Sequence, residues 1–153
     1  MQHRELALLA SEIAPLLEVE RLAGESIAIR LKLSKFTRKL RVHQVVEDRF
    51  IYEHLLGHSD PAIVTQATEH QRAAHSLRDR VARYGREWIS TRVALGDAGN
   101  KFIEETKSLF ELVFKRFDFE DRELYPLVEQ ICNRSGVWPV DLTAETDDTS
   151  KTG

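Results

Sequence analysis

A chain of 153 residues with 42% hydrophobic and 31% charged residues has the composition of one folded globular domain, which excludes an intrinsically disordered protein. The formal net charge of −3 excludes a general attraction to nucleic acid or to an anionic membrane surface. The single cysteine, Cys132, excludes an internal disulfide framework, and the polar residues at the start, with no long apolar run anywhere, favour a cytoplasmic protein.

The first predicted element is a helix over about residues 3–22, because its apolar residues recur at helical spacing. Gly24 is expected to end this helix. Pro15 should kink it or shift its start, since proline lacks the backbone N–H that a helix interior needs. The apolar positions on its inner face are Leu6, Leu9, Ile13, Leu16 and Leu17.

Three longer helices follow, over about residues 26–56, 61–94 and 98–133. The start of the third is the sharpest boundary, because Asp60 is a good N-cap and Pro61 suits the first helical position. No segment alternates apolar and polar residues as a half-buried strand does.

The short connections between these helices predict an all-α fold, an up-down-up-down antiparallel four-helix bundle. The bundle is expected to occupy residues 1–133. Residues 134–153 lose the helical period and gather Asp, Thr, Ser and Gly, which predicts a mostly flexible C-terminal tail.

A short internal repeat links the second and fourth helices. Glu47-Asp48-Arg49 with Tyr52 returns as Glu120-Asp121-Arg122 with Tyr125. A bundle with approximate internal twofold symmetry would produce such a repeat. Chance is the alternative explanation, because Glu, Asp and Arg are common in helices.

Ionisable residues interrupt the apolar stripes of three of these helices. His43 and Glu47 fall on the inner stripe of the second helix, one turn apart. His70 lies in the middle of the third stripe, and Glu120 and Asp121 fall between Phe117 and Leu124 on the fourth. The first helix shows no comparable interruption.

A buried carboxylate is costly unless it is paired, hydrogen-bonded or bound to a cation. Imidazole and carboxylate groups on facing helices suit iron, manganese or zinc. The predicted metal ligands are His43, Glu47, His70, Glu120 and Asp121.

The segment His43-x3-Glu47-Asp48-x2-Ile51-Tyr52 resembles the H-x3-E-E-x2-φ-[FY] motif of the hemerythrin (HHE cation-binding) family. Glu120-Asp121-x2-Leu124-Tyr125-Pro126 is similar to the E-E-x2-L-[FY]-P ending of that family, and His70 matches its third-helix ligand region. The resemblance spans residues 5–131 and implies a helical bundle around a non-haem di-iron centre that binds dioxygen or related ligands, usually with five histidines and two bridging carboxylates.

The resemblance also marks three positions at which this chain lacks an expected histidine. Ala10, Ala74 and Arg116 stand there, with His75 one residue from the second of them. Arg116 lies one turn before Glu120, where a guanidinium could supply the positive charge that a metal otherwise gives.

Two functional hypotheses follow. In the first, the bundle binds non-haem iron, mononuclear or dinuclear, for O2 or NO sensing or for iron and redox handling. In the second, the core is a metal-free salt-bridged network and the bundle is a structural or protein-interaction module. Neither hypothesis favours an enzyme. The protein partner is unknown in both, and a homodimer is left open.

Overall fold

Helices form all the regular structure in residues 2–92 and 94–135, which are the residues that this computed structural model describes. The helices in chain order are α1 (Gln2–Ile13), α2 (Val19–Glu47), α3 (Glu53–Leu56), α4 (Pro61–Tyr84), α5 (Leu95–Ala98), α6 (Asn100–Phe119) and α7 (Tyr125–Ser135). The described residues therefore confirm the predicted all-α fold class and are consistent with a helical bundle.

Three π-helical segments of five residues interrupt or extend these helices. Asp48–Tyr52 joins α2 to α3, Gly85–Ile89 extends α4, and Glu120–Leu124 joins α6 to α7. A π turn takes up one residue more than an α turn, and such turns often occur at functional sites because they redirect the side chains around them.

The predicted boundary between the first two helices is wrong. Helix α1 ends at Ile13, a 3-10 turn containing Pro15 follows, and α2 begins at Val19. Gly24 lies inside α2, with open space around its Cα. Proline ended the helix because it removes a backbone donor, whereas an internal glycine costs a helix only about 1 kcal/mol.

The boundary at Asp60 is confirmed, because its side chain accepts a hydrogen bond of 2.9 Å from the backbone N–H of Ala62. The predicted third helix runs too far, since its helical structure ends at Ile89. Before α6 the chain turns at Gly99, whose φ of 52° is one that residues with a side chain rarely adopt.

The core consists of two apolar clusters. The larger one includes Leu6, Phe36, Leu40 and Phe117, and the smaller one includes Ile51, Tyr52, Leu124 and Val128. Along the α2–α3 segment and along the α6–α7 segment, the chain passes from residues of the larger cluster to residues of the smaller one. The buried polar residues at this transition are His43, Glu47 and Glu120. This polar layer is where the candidate site is found.

No helix among the described residues has the length and apolar content needed to cross a membrane. The predicted C-terminal tail lies outside the described residues from position 136 onward.

Candidate metal centre

The site begins with two side chains at the end of α2. His43 and Glu47 continue the buried stripe of Phe36 and Leu40, so the helix period directs both inward. Their side chains contact each other one helical turn apart.

The third group, Glu120, comes from the second copy of the internal repeat. Glu120 is the first residue of the π segment that follows α6, and it is 2% exposed. In the first copy of the repeat, Glu47 is the last residue of α2 and immediately precedes the π segment Asp48–Tyr52. The two copies therefore present Glu47 and Glu120 at the junction of an α-helix with a π segment, matched to within one residue.

The fourth group is His3, in the first turn of α1, which the sequence analysis missed. It is 8% exposed and lies among the buried residues of the centre. The expectation that the first helix has no polar interruption is wrong, and Ala10, two turns further on, is an apolar core residue. Extending the stripe of Leu6 and Leu9 back by one turn would have found His3.

These four residues converge on one point. His3, His43, Glu47 and Glu120 each offer a nitrogen or oxygen atom, and the four atoms lie within 4.8 Å of one another. His3 Nε2 is 2.9 Å from Glu120 Oε2 and 3.1 Å from His43 Nε2. All four residues are buried, so water does not screen this group of polar atoms.

The outer nitrogens of both histidines have oxygen partners. Nδ1 of His43 lies 2.7 Å from Gln2 Oε1, and Nδ1 of His3 lies 3.1 Å from Asp121 Oδ1. An amide or carboxylate oxygen accepts, so each Nδ1 carries a proton and donates it. In the neutral imidazole this leaves the lone pair on Nε2, which faces the carboxylates, as in the histidine ligands of metal sites.

Two further side chains bind the carboxylates. The Tyr125 hydroxyl donates to Glu47 Oε1 at 3.0 Å, and burial raises the tyrosine's pKa, with help from the charge of Glu47. Arg116 Nε donates to Glu120 Oε1 at 2.9 Å, and its Nη2 contacts the Tyr52 hydroxyl. Arg116 thus lies beside Glu120 in the position expected of a charge-balancing residue.

The side chains of the centre stabilise the charged forms of His43 and Glu120. Burial alone would lower the pKa of His43, but hydrogen bonds and charge from Glu120 and Glu47 raise it to about 9. Burial would also raise the pKa of Glu120, yet hydrogen bonds from His3 and His43 hold it well below its usual range. A metal ion would have to displace the proton of His43 in order to bind there.

The five predicted ligands have different positions. His43, Glu47 and Glu120 are brought together. Asp121 is half-exposed and reaches the cluster only through the outer nitrogen of His3. His70 is outside the cluster and packs against the ring of Phe119, with ring centroids 4.7 Å apart.

The donor chemistry fits a transition metal. Two imidazoles and two carboxylates are ligands for iron, manganese or zinc, and His3 and His43 have the outer hydrogen bonds that orient metal ligands. The fold and the buried cluster therefore define a helical-bundle protein whose core could hold a metal ion.

Comparison with known families makes the assignment more specific. The family profile described as the hemerythrin HHE cation binding domain matches residues 1–128 of the chain. The chain belongs to the hemerythrin family. The curated proteins and the solved structures gave no match.

Proposed function

We propose that this chain is a hemerythrin-like protein that holds non-haem iron in the bundle core, for O2 or NO sensing or for iron and redox handling. His3, His43, Glu47 and Glu120 would hold the ion. Bound there, iron would supply a centre with affinity for O2 or NO. The protein residues would orient the donor atoms and exclude water.

One observation carries the proposal most strongly. The two histidines that meet in the cluster each donate Nδ1–H to an oxygen outside it, through Gln2 and Asp121. When Nε2 carries no proton, each of these imidazoles directs a lone pair toward the two buried carboxylates, an arrangement that a cation stabilises.

The remaining predicted ligands have secondary parts in this proposal. Asp121 positions His3 and does not itself ligate the ion. His70 would ligate only if the Phe119 contact were to open, so we leave it out of the binding set. Arg116 balances the charge of Glu120.

The proposal includes an up-down-up-down bundle over residues 1–133 in the cytoplasm. Contacts along the helices support the alternating directions. Salt bridges join Glu5 to Lys39 and Glu12 to Lys32, so residue numbers rise on α1 as they fall on α2. The same inverse order relates α4 and its π extension to α6, since Trp88 of the extension contacts Glu105 and Arg80 contacts Ser108.

The test is elemental analysis and an absorption spectrum of protein expressed with iron and purified without chelators. We expect bound iron and near-ultraviolet charge-transfer bands. Both should be lost in His3→Ala and in His43→Ala.

His75→Ala is the matched control, because His75 is exposed on α4 and pairs with Asp48 outside the cluster. The control should keep its iron. Iron-free wild-type protein, or equal loss of iron in the control, would reject the proposal.

The second candidate function is a metal-free interaction module, and one observation favours it. The outer face of α2, opposite the core, exposes Ile27, Leu31, Val42 and Val45. Such a stripe is suited to packing against another helix, and a second copy of the chain would be the simplest partner.

Sedimentation equilibrium tests this second function. A dimer that dissociates in Leu31→Glu, with thermal melting unchanged by chelators, would support it. A monomer whose melting temperature falls on chelation would support the iron-binding proposal.

A further inference from the structure

Arg116 occupies the side of Glu120 that faces away from the histidines. Glu120 Oε2 lies 2.9 Å from His3 Nε2 and 3.3 Å from His43 Nε2, whereas Glu120 Oε1 accepts a hydrogen bond of 2.9 Å from Arg116 Nε. One oxygen therefore faces the four-residue cluster, and the guanidinium holds the other.

A carboxylate that bridges two metal ions through both of its oxygens offers one oxygen to each. The oxygen of Glu120 that could serve a second ion is already bound to Arg116, whose side chain is only 11% exposed. The guanidinium is also held by the Tyr52 hydroxyl and stands over the ring of Phe119, 4.8 Å from its centroid. Three contacts therefore hold Arg116 in this place.

The α4 side of the site offers no ligand to compensate. A cavity with room for about one water molecule borders Glu47, Glu120 and Arg116, and α4 lines it with Ala74, Leu77 and Arg78. Ala74 and Leu77 have no donor atom for a metal, and the Arg78 guanidinium is a cation that pairs with Asp48, the remaining carboxylate of the cavity lining.

The charges lead to the same result. One divalent ion and the Arg116 guanidinium together match the three carboxylates Glu47, Glu120 and Asp121 when the histidines are neutral. A second divalent ion would add two uncompensated positive charges beside a largely buried guanidinium, which is strongly unfavourable.

We propose that Arg116 limits the centre to one metal ion per chain, by taking the position and the charge that a second ion would have. This inference rests on the proposed function, because it requires the cluster to bind a first ion.

Metal stoichiometry tests the inference directly. The apo protein is titrated without oxygen with iron(II), and separately with cobalt(II), and bound metal is counted after equilibrium dialysis. His43→Ala is measured in parallel, and the difference between it and wild type counts the ions of the core. We expect a difference of one ion per chain.

Paired variants then test the part played by Arg116. Arg116→His with Ala74→His removes the guanidinium and adds donors from two helices, and we expect core metal to double to two ions per chain. Ala74→His alone is the matched control, because it adds the α4 donor but keeps Arg116, so it should stay at one. Circular dichroism checks that each variant is folded.

The outcomes separate the two proposals. A core count of zero in wild type rejects the proposed function and this inference with it. A wild-type count of two rejects only the inference, as does a second ion in Ala74→His alone.

Discussion

Gln2 and Asp121 are not in the four-residue cluster, yet they fix the two histidines within it. Each accepts a hydrogen bond from an outer nitrogen, His43 Nδ1 or His3 Nδ1. Partners of this kind set the tautomer and the ring orientation of a metal-binding imidazole.

Replacing Gln2 should therefore weaken metal binding without removing a ligand. For Gln2→Leu we expect affinity for iron(II) to fall by roughly 10- to 100-fold, the usual cost of losing such a partner. Competition with a chromophoric chelator measures the affinity. Gln66→Leu, on the exposed face of α4, is the control. Equal affinity in the two variants would contradict the positioning role of Gln2.

His43 makes the stability of the metal-free protein depend on pH. Its pKa in the folded chain is about 9, because Glu120 and Glu47 outweigh the effect of burial. The ordinary pKa of histidine is about 6.5. A raised folded pKa gives stability that is fully present below the unfolded pKa and is lost as pH rises through the folded one.

We therefore expect the chelated protein to lose on the order of 3 kcal/mol of unfolding free energy between about pH 6.5 and pH 9. Urea denaturation at several pH values measures this loss, and His43→Gln should flatten the profile in that range. Metal affinity should change in the opposite direction and rise with pH, because binding releases the His43 proton. Stability that rises across this range in the chelated protein would contradict the assignment.

At the scale of elements, the internal repeat and the π segments coincide. Glu47 immediately precedes Asp48–Tyr52 and its counterpart Glu120 is the first residue of Glu120–Leu124, so the two π segments match the repeat to within one residue. The sequence revealed the repeat, because identical residues can be seen by inspection. It did not reveal the π turns. One extra residue in a helical turn depends on tertiary packing, and the pattern of apolar residues along the sequence does not show that packing.

Two predicted helix boundaries show the same division. Asp60 and Pro61 marked the start of α4 correctly, because capping is a local interaction between neighbouring residues. Gly24 misled the sequence analysis, because burial of α2 on both sides of it outweighs a weak local preference.

A matched pair of glycine substitutions tests these assignments. Gly24→Ala should raise the free energy of unfolding by about 0.5 to 1 kcal/mol, because Gly24 lies within a helix with open space around it. Gly99→Ala should lower the free energy by roughly 1 to 2 kcal/mol, because its φ of 52° strains any residue with a Cβ. Chemical denaturation of both variants measures the changes. If Gly24→Ala instead lowers the free energy of unfolding, that result would contradict a continuous helix α2 through Gly24.

At the scale of the whole molecule, a polar layer separates two apolar clusters. Helices α1, α2 and α6, the last with its π segment, all contribute to the layer, so the site depends on residues more than a hundred positions apart, such as His3 and Glu120. Helical content and the inward direction of His43 and Glu47 followed from periodicity, which did not decide between Glu120 and Asp121. The sequence did not predict His3 as the fourth member of the cluster, because the packing of α1 determines that His3, and not His70, reaches the other three residues.

The central claim is that the four-residue cluster is a metal centre. Crystals of chelator-free protein, measured on both sides of the iron absorption edge, test it most directly. We expect one anomalous peak in the core of each chain, within about 2.0 to 2.3 Å of donor atoms on His3, His43, Glu47 and Glu120. A core with no peak, or a peak bound elsewhere in the chain, would contradict the claim.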